Sequence, residues 1–396
     1  VISSMKNMYR NQMSFGAIAA IASTILVSCG SKVVVVEKPV VETTHVVYSP
    51  GENLTALTKV HETSYKCDFP FGGNNGRNLF FVVYDNDAKN ANIYRKDNPI
   101  GMSMSQLTGG NGWNTTPSYC SATNMVAFAS QPNVTRPSDI YMVNATQGGA
   151  LTQVTNTPDY EEAFPSMSSD GKRIVYEKRL RSADVKNTEI WVKNIQTNEN
   201  TQLGLGCMPA FSPDGRSIVL VKYSPGSYDT YLCVVNADGG NVTQLTDASM
   251  GIVRNPCFSP DGNKIVFQCR KKEKEDFDLY IIDRNGNNLT QITMNKSYDG
   301  EPYWANDGNI YFTSDRGGKN GQYQIWRFKY QGKSPVVNMD NNRQSQQYGT
   351  YHTVSNGETI TDIARRYGIT VRDVVKWNNL TTMTITPGMK LKVSAQ

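Results

Sequence analysis

Five carboxylates close to prolines are the residues in this chain best placed to do chemistry. Asp159, Glu161 and Glu162 precede Pro165, and Asp299 and Glu301 precede Pro302. Two such groups facing a glycosidic bond, one as acid and the other as base or nucleophile, would hydrolyse a glycan. Their recurrence at an equivalent place beside a repeated proline also fits a plainer use, capping turns and lining a channel wall. The histidines are His45, His61 and His352, none of them within the second to sixth units of the repeat that organises the middle of the chain, so a Ser-His-Asp triad or a His-ligated metal has no source there. No Gly-x-Ser-x-Gly elbow occurs. Cys67, Cys120, Cys207, Cys233, Cys257 and Cys269 follow no CxxC or zinc spacing and read as buried or paired structural thiols. The expectation is a protein with no catalytic residue, no metal and no cofactor. A cell-wall glycan hydrolase using the carboxylates is the alternative.

What must position these residues is a long chain. At 396 residues it holds two or three domains, and its 19% of charged and 10% of aromatic residues suit a strand-rich fold punctuated by Gly, Asn and Thr. The net charge of +5, from 40 basic and 35 acidic residues, is dispersed. Its densest run, Arg270 to Asp276, contains its own acids, which argues against nucleic acid as a partner.

The N-terminal pattern reads as an address. Lys6 and Arg10 follow Met5, and Phe15 to Val27 is an apolar run too short to span a bilayer, so residues 1–28 are expected to be a signal peptide. The segment closes on Leu26-Val27-Ser28-Cys29, which resembles the lipobox of bacterial lipoproteins. The resemblance implies that the Cys29 thiol is acylated and becomes the mature N-terminus, a lasting membrane anchor. Gly30 follows where some proteobacterial lipoproteins carry a retention Asp. That implies the outer membrane, with the protein facing the periplasm. Residues 29–52, Val-rich with Pro39, then form a tether. Export also permits disulfides among the remaining six cysteines, with the pairing open.

A repeat organises the middle. Phe69-Pro70, Thr116-Pro117, Phe164-Pro165, Met208-Pro209, Asn255-Pro256 and Glu301-Pro302 align, at proline intervals of 47, 48, 44, 47 and 46. The clearest unit runs through Ser259-Pro260-Asp261-Gly262, Lys264 to Phe267, Asp278 to Ile282 and Leu289 to Thr293. In that turn Pro presets one torsion, Asp bonds its own backbone and Gly takes the positive φ that reverses the chain. Ser168-Ser169-Asp170-Gly171, Ser212-Pro213-Asp214-Gly215 and Ala305-Asn306-Asp307-Gly308 repeat it. Four short strands per unit cannot bury both faces alone, and stacking such sheets around an axis is the β-propeller solution. Six anchors imply six blades. Leu54 to Thr58 could complete the last blade, with Pro335 to Val337 competing for that place.

Residues 53–338 thus resemble the six-bladed propeller of the TolB family and its PD40-type repeats. The first two units depart from the pattern at Asn74-Asn75-Gly76 and Ala122-Thr123-Asn124. The α/β domain that precedes the propeller in TolB itself has no counterpart, so binding of TolB's own partners is not implied. The propeller is expected to dock unidentified envelope proteins.

After a linker at 339–349, residues 350–396 read as strand, helix, helix, strand. Thr359 with Asp362 and Thr370 with Asp373 form capping boxes, and Ile360, Ile363, Ala364 and Tyr367 fall at helical spacing. The terminal strands Tyr351 to Val354 and Leu391 to Val393 can pair antiparallel. The run from Tyr351-His352-Thr353-Val354 through Gly357-Glu358-Thr359-Ile360 to Trp377-Asn378-Asn379-Leu380 and Pro387-Gly388 resembles a LysM module almost end to end. Glu358 and Met389 are mild departures. The resemblance implies binding of N-acetylglucosamine-containing glycan, hence peptidoglycan, in a groove. Gly357, Glu358, Thr359 and Ile360 would form one wall, and Asn379, Leu380, Thr381 and Thr382 the other. The fold class is therefore mainly β, a six-bladed propeller followed by a small βααβ module.

Overall fold

A computed structural model describes residues 54–60, 65–73, 77–85, 87–101, 103–133, 135–146, 150–317, 322–330, 351–366, 371–378, 380, 382 and 384–393. The signal segment, Cys29, the tether, the Asn74-Asn75-Gly76 turn, the linker and Pro335 to Val337 lie outside them. The chain divides into two compact units, Val1–Pro335 and Val336–Gln396.

Among the described residues the first unit is built of antiparallel ladders. Four sheets have four strands each, and one eight-stranded sheet consists of two four-stranded ladders joined by a single parallel bridge, Ala91 to Trp113. The second strand of each ladder is buried along its middle, and Leu79–Tyr84 from end to end. Such runs carry no polar alternation because both faces are covered. Hydrophobic clusters fill the space between successive ladders. One joins Val175, Ile190 and Val192 to Phe211, Ile218 and Leu220. Another joins Val60, Ala305, Tyr311 and Ile325 of the last sheet to Cys67, Leu79 and Phe81 of the first ladder, so the ring closes on itself.

Closure uses the N-terminal strand. Thr55–Lys59 pairs antiparallel with Gln324–Lys329, with Lys59 opposite Trp326. Leu54, Leu57 and Val60 are buried at 5%, 5% and 4% exposure. The closing segment is therefore held by core packing as well as by its ladder.

Two local devices explain the repeat signature. In the Ser-Pro-Asp-Gly turns the serine hydroxyl bonds across the hairpin. Ser212 Oγ accepts from Ser217 N at 3.0 Å, and Asp214 Oδ1 accepts from Arg216 N at 3.0 Å. Gly171, Gly215, Gly262 and Gly308 take φ of +68°, +66°, +72° and +80°, the region only glycine enters freely. At the far edge, the threonine of each Leu-Thr ending is a backbone acceptor. Thr108, Thr155, Thr246 and Thr293 hold the amides of Ile93, Ile140, Leu232 and Leu279 at 2.8–2.9 Å, which satisfies buried donors where the fourth strand ends.

The second unit has strands Tyr351–Thr353 and Lys390–Lys392 paired antiparallel, and two helices, α1 (Ile360–Arg366) and α2 (Val371–Trp377). Val354, Ile360, Ile363, Ala364, Val374, Leu391 and Val393 form its core. Thr359 and Asp362 make the expected capping box, with Asp362 N donating to Thr359 Oγ1 and Thr359 N to Asp362 Oδ2, both at 3.2 Å. Thr370 lies outside the described residues.

Candidate functional site

The six aligned prolines meet. Pro70, Pro117, Pro165, Pro209, Pro256 and Pro302 all line one axial cavity of about 110 Å³. Proline suits the innermost strand because that edge faces the axis and needs no donor. In every repeat the residue before it is left-handed. Phe69, Thr116, Phe164, Met208, Asn255 and Glu301 have φ between +44° and +52°, and the ladder register shifts at each. This is a β-bulge that turns the pre-proline backbone toward the axis. The amides it frees are met by side chains of the preceding sheet. Glu177 Oε2 accepts from Met208 N at 2.9 Å and Gln268 Oε1 from Glu301 N at 2.6 Å.

The carboxylates separate in role. Glu301 lines the cavity, but Glu161, Glu162 and Asp299 do not. Glu161 Oε2 lies 2.6 Å from Arg179 Nη2, Glu162 Oε1 is 3.3 Å from Lys178 and 2.8 Å from Thr157, and Asp299 Oδ2 is 2.5 Å from Arg316. Burial pushes the Asp299 and Glu162 carboxyls up, while Arg316 and Lys178 draw them back. Of the acids singled out by sequence, Glu301 therefore meets the channel-wall use, and Glu161, Glu162 and Asp299 do not line this cavity. The inner strands begin there, but ion pairs on the neighbouring strand take the carboxylates, and Asp159 contributes its backbone carbonyl to Arg181 N at 2.9 Å. Sequence reading missed Asp68 and Glu177. Burial lifts Asp68 to about 6 and Glu177 to about 7, and lifts Glu301 to about 7 with the Asp68 charge adding to the effect.

All six described cysteines are free thiols, so the paired alternative is set aside for buried ones. Burial raises the pKa of the Cys67 and Cys207 thiols, and lifts Cys233 and Cys257 to about 11 and Cys269 to about 12, which leaves these five poor nucleophiles. No group of three or more His, Cys, Asp or Glu could hold a metal among the described residues.

In the second unit, Gly357 (φ +80°) and Thr359 are exposed where the chain enters α1. Glu358 turns its carboxylate inward, with Oε2 2.6 Å from His352 Nε2 and 2.9 Å from Ser355 N. Ile360 is core, and Leu380 packs partly buried on the same cluster. Thr382 is exposed, while Asn379 and Thr381 lie outside the described residues. Asn378 belongs to the LysM-like run but not to either expected groove wall. It ties the end of α2 to the last strand, donating to Val374 and Lys392 carbonyls at 2.8 Å and accepting from Lys392 N at 2.5 Å.

Comparison with known proteins agrees with this architecture. The family model for PD40, the TolB beta propeller domain, matches residues 248–389. A TolB-like protein from Agrobacterium tumefaciens is 19% identical, with a TM-score of 0.51 over 69% of this chain and 96% of its own. TolB from Acinetobacter baumannii is 16% identical over 68% of this chain and 65% of its own, with a TM-score of 0.47. An oligogalacturonate lyase in complex with manganese is 15% identical over 70% and 94%, with a TM-score of 0.49. Separately, 47 residues are 40% identical to the "Probable endopeptidase p60" of Listeria monocytogenes. They amount to 12% of this chain, which spans about a tenth of the length of that relative. The first unit shares the β-propeller fold of the TolB-like protein from Agrobacterium tumefaciens, and the match to the PD40 model takes in its last sheets.

Proposed function

We propose that the chain is a lipoprotein of the cell envelope, held in the outer membrane through Cys29, facing the periplasm and bound to peptidoglycan by a C-terminal LysM module. Its propeller, read as six-bladed from the four sheets and the two joined ladders, is a docking platform for envelope proteins. The observation that carries the glycan reading is the C-terminal unit. A βααβ core with a capped first helix leaves Gly357, Thr359 and Thr382 exposed in the loops that would wall the groove. Glu358 supports this wall from behind through His352. No catalytic role is assigned to the propeller acids, because Glu161 and Asp299 are neutralised by Arg179 and Arg316 in buried pairs. The test is a fragment of residues 349–396 mixed with insoluble peptidoglycan. It should sediment with the glycan, and Thr382→Arg should weaken that sedimentation with the helical signal unchanged. A fragment that binds neither peptidoglycan nor chitin oligomers would overturn the glycan reading.

A further inference from the structure

A second cavity, of about 250 Å³, opens on the first ladder, where Tyr65, Tyr84 and Tyr94 line it together with Asp85, Asn90 and Asn92. Strand alternation brings the residues together. Val83 pairs with Asn92 and Phe81 with Tyr94, so Asn92 and Tyr94 leave one face of Ala91–Lys96 while the fully buried Ile93 enters the core on the other. The end of this hairpin is held by its own side chains. Asp85 Oδ1 accepts from Lys89 N at 2.7 Å, its Oδ2 accepts from Asn90 N at 3.1 Å and Asn90 Nδ2 at 2.7 Å, and Asn90 Oδ1 accepts from Gly112 N at 2.9 Å. Asn92 Oδ1 accepts from Thr108 Oγ1 at 3.2 Å and Asn114 Nδ2 at 3.1 Å. These two bonds fix the amide plane and leave Asn92 Nδ2 as a donor without a partner among the described residues. Tyr94, partly exposed, donates its hydroxyl to Gln106 Oε1 at 3.1 Å, and Tyr65 is 40% exposed, so both rings keep accessible surface.

Aromatic rings beside a fixed carboxylate and a spare amide donor select among ligands. An apolar solute would strip water from Asp85 and Asn92 and return no hydrogen bond. An anion would face the Asp85 carboxylate, and a metal ion would find that single carboxylate already taking three donors. A sugar ring answers both halves of the wall. Its C–H face lies against aromatic rings, and its hydroxyls both donate and accept. We propose that this cavity is a binding site for one neutral pyranose ring with equatorial hydroxyls, with Tyr65 and Tyr94 against its C–H face and Asn92 Nδ2 and Asp85 Oδ1 meeting its hydroxyls. Asp85 Oδ1 takes one donor among the described residues, which leaves it capacity for a second. Sites for drug-sized ligands run to roughly 300–1,000 Å³, so a cavity of about 250 Å³ holds about one ring. Two sources share this chemistry, a free monosaccharide and a sugar within a glycan chain.

The inference concerns the first unit and does not rest on the glycan reading of the second. It is tested on the whole chain by ligand-observed saturation-transfer NMR titration. The probes are methyl β-D-glucopyranoside, cyclohexanol as a ring without the other hydroxyls, and cellotetraose, none of which carries an N-acetyl group. The glucoside should bind and cyclohexanol should not. Tyr65→Ala and Asn92→Asp should each weaken the glucoside by about fivefold or more, the second keeping Oδ1 for Thr108 and Asn114 while removing the Nδ2 donor. Thr382→Arg should leave the glucoside titration unchanged, which separates this site from the C-terminal groove. Binding of cellotetraose as well would assign the site to a sugar within a chain, and binding of the glucoside alone to a free sugar. No binding of the glucoside, equal binding of cyclohexanol, unchanged affinity in either first-unit variant, or loss of binding in Thr382→Arg would each overturn the proposal. The cyclohexanol comparison needs no variant, so it stands even if a substitution disturbs folding.

Discussion

Glu301 shows what burial does to a single carboxylate in this fold. Its pKa is raised from an ordinary 4.5 to about 7, first by desolvation and then by the Asp68 charge, with Tyr298 and Lys66 opposing. The folded protein thus keeps a proton that the unfolded chain releases above pH 4.5, and stability falls as pH rises from there to about 7. Asp68, at about 6, and Glu177, at about 7, act in the same direction. Glu301→Gln removes one ionisation while keeping an acceptor for Tyr298. Its melting temperature should exceed the parent's at pH 8 and match it at pH 5, and a gap that does not change with pH would contradict the assignment. The functional fate of such acids is not legible in the sequence. Glu161, Glu162, Asp299 and Glu301 look alike beside their prolines, and what separates them is the partner each meets, Arg179, Lys178 and Arg316 for the first three and the Tyr298 hydroxyl for Glu301. Glu358 is a similar case, since its bond to His352 depends on how the loop folds back.

At the scale of the element, the hairpin turns and the Leu-Thr endings are readable because each is local chemistry with a fixed residue. The serine, aspartate and glycine of Ser212 to Gly215 each have one job over six residues. The pre-proline bulge is not readable. Phe69, Thr116, Phe164, Met208, Asn255 and Glu301 share a backbone conformation and no side-chain chemistry, so the alignment finds the prolines without the αL turn before them. Closure was open between two segments because both are short and β-prone. Burial of Leu54, Leu57 and Val60 supports the first. A fragment of residues 53–338 should therefore melt well above one of residues 67–338, which loses this strand and exposes the Gln324–Lys329 edge. Replacing Leu57 by Ala in the longer fragment should cost about 2–5 kcal/mol, read by denaturant titration. Equal stability of the two fragments would return the closing place to Pro335 to Val337.

For the whole molecule, the ring of sheets is legible from the proline period, since only stacking can bury both faces of such repeats. The βααβ unit is legible from caps and helical spacing. The account joins these units to a lipid anchor. Cys29→Ala should leave the protein unlipidated in the soluble periplasmic fraction, as judged by a palmitate analogue and membrane fractionation. Continued labelling would remove the anchor from the account. The central claim is that the chain holds peptidoglycan without cutting it. Sedimentation of the full chain with purified peptidoglycan, with the supernatant assayed for released glycan fragments, tests it most directly. The account predicts protein in the pellet and no fragments in solution. Protein left in the supernatant, or soluble fragments that disappear when Glu161 or Asp299 is replaced, would contradict it.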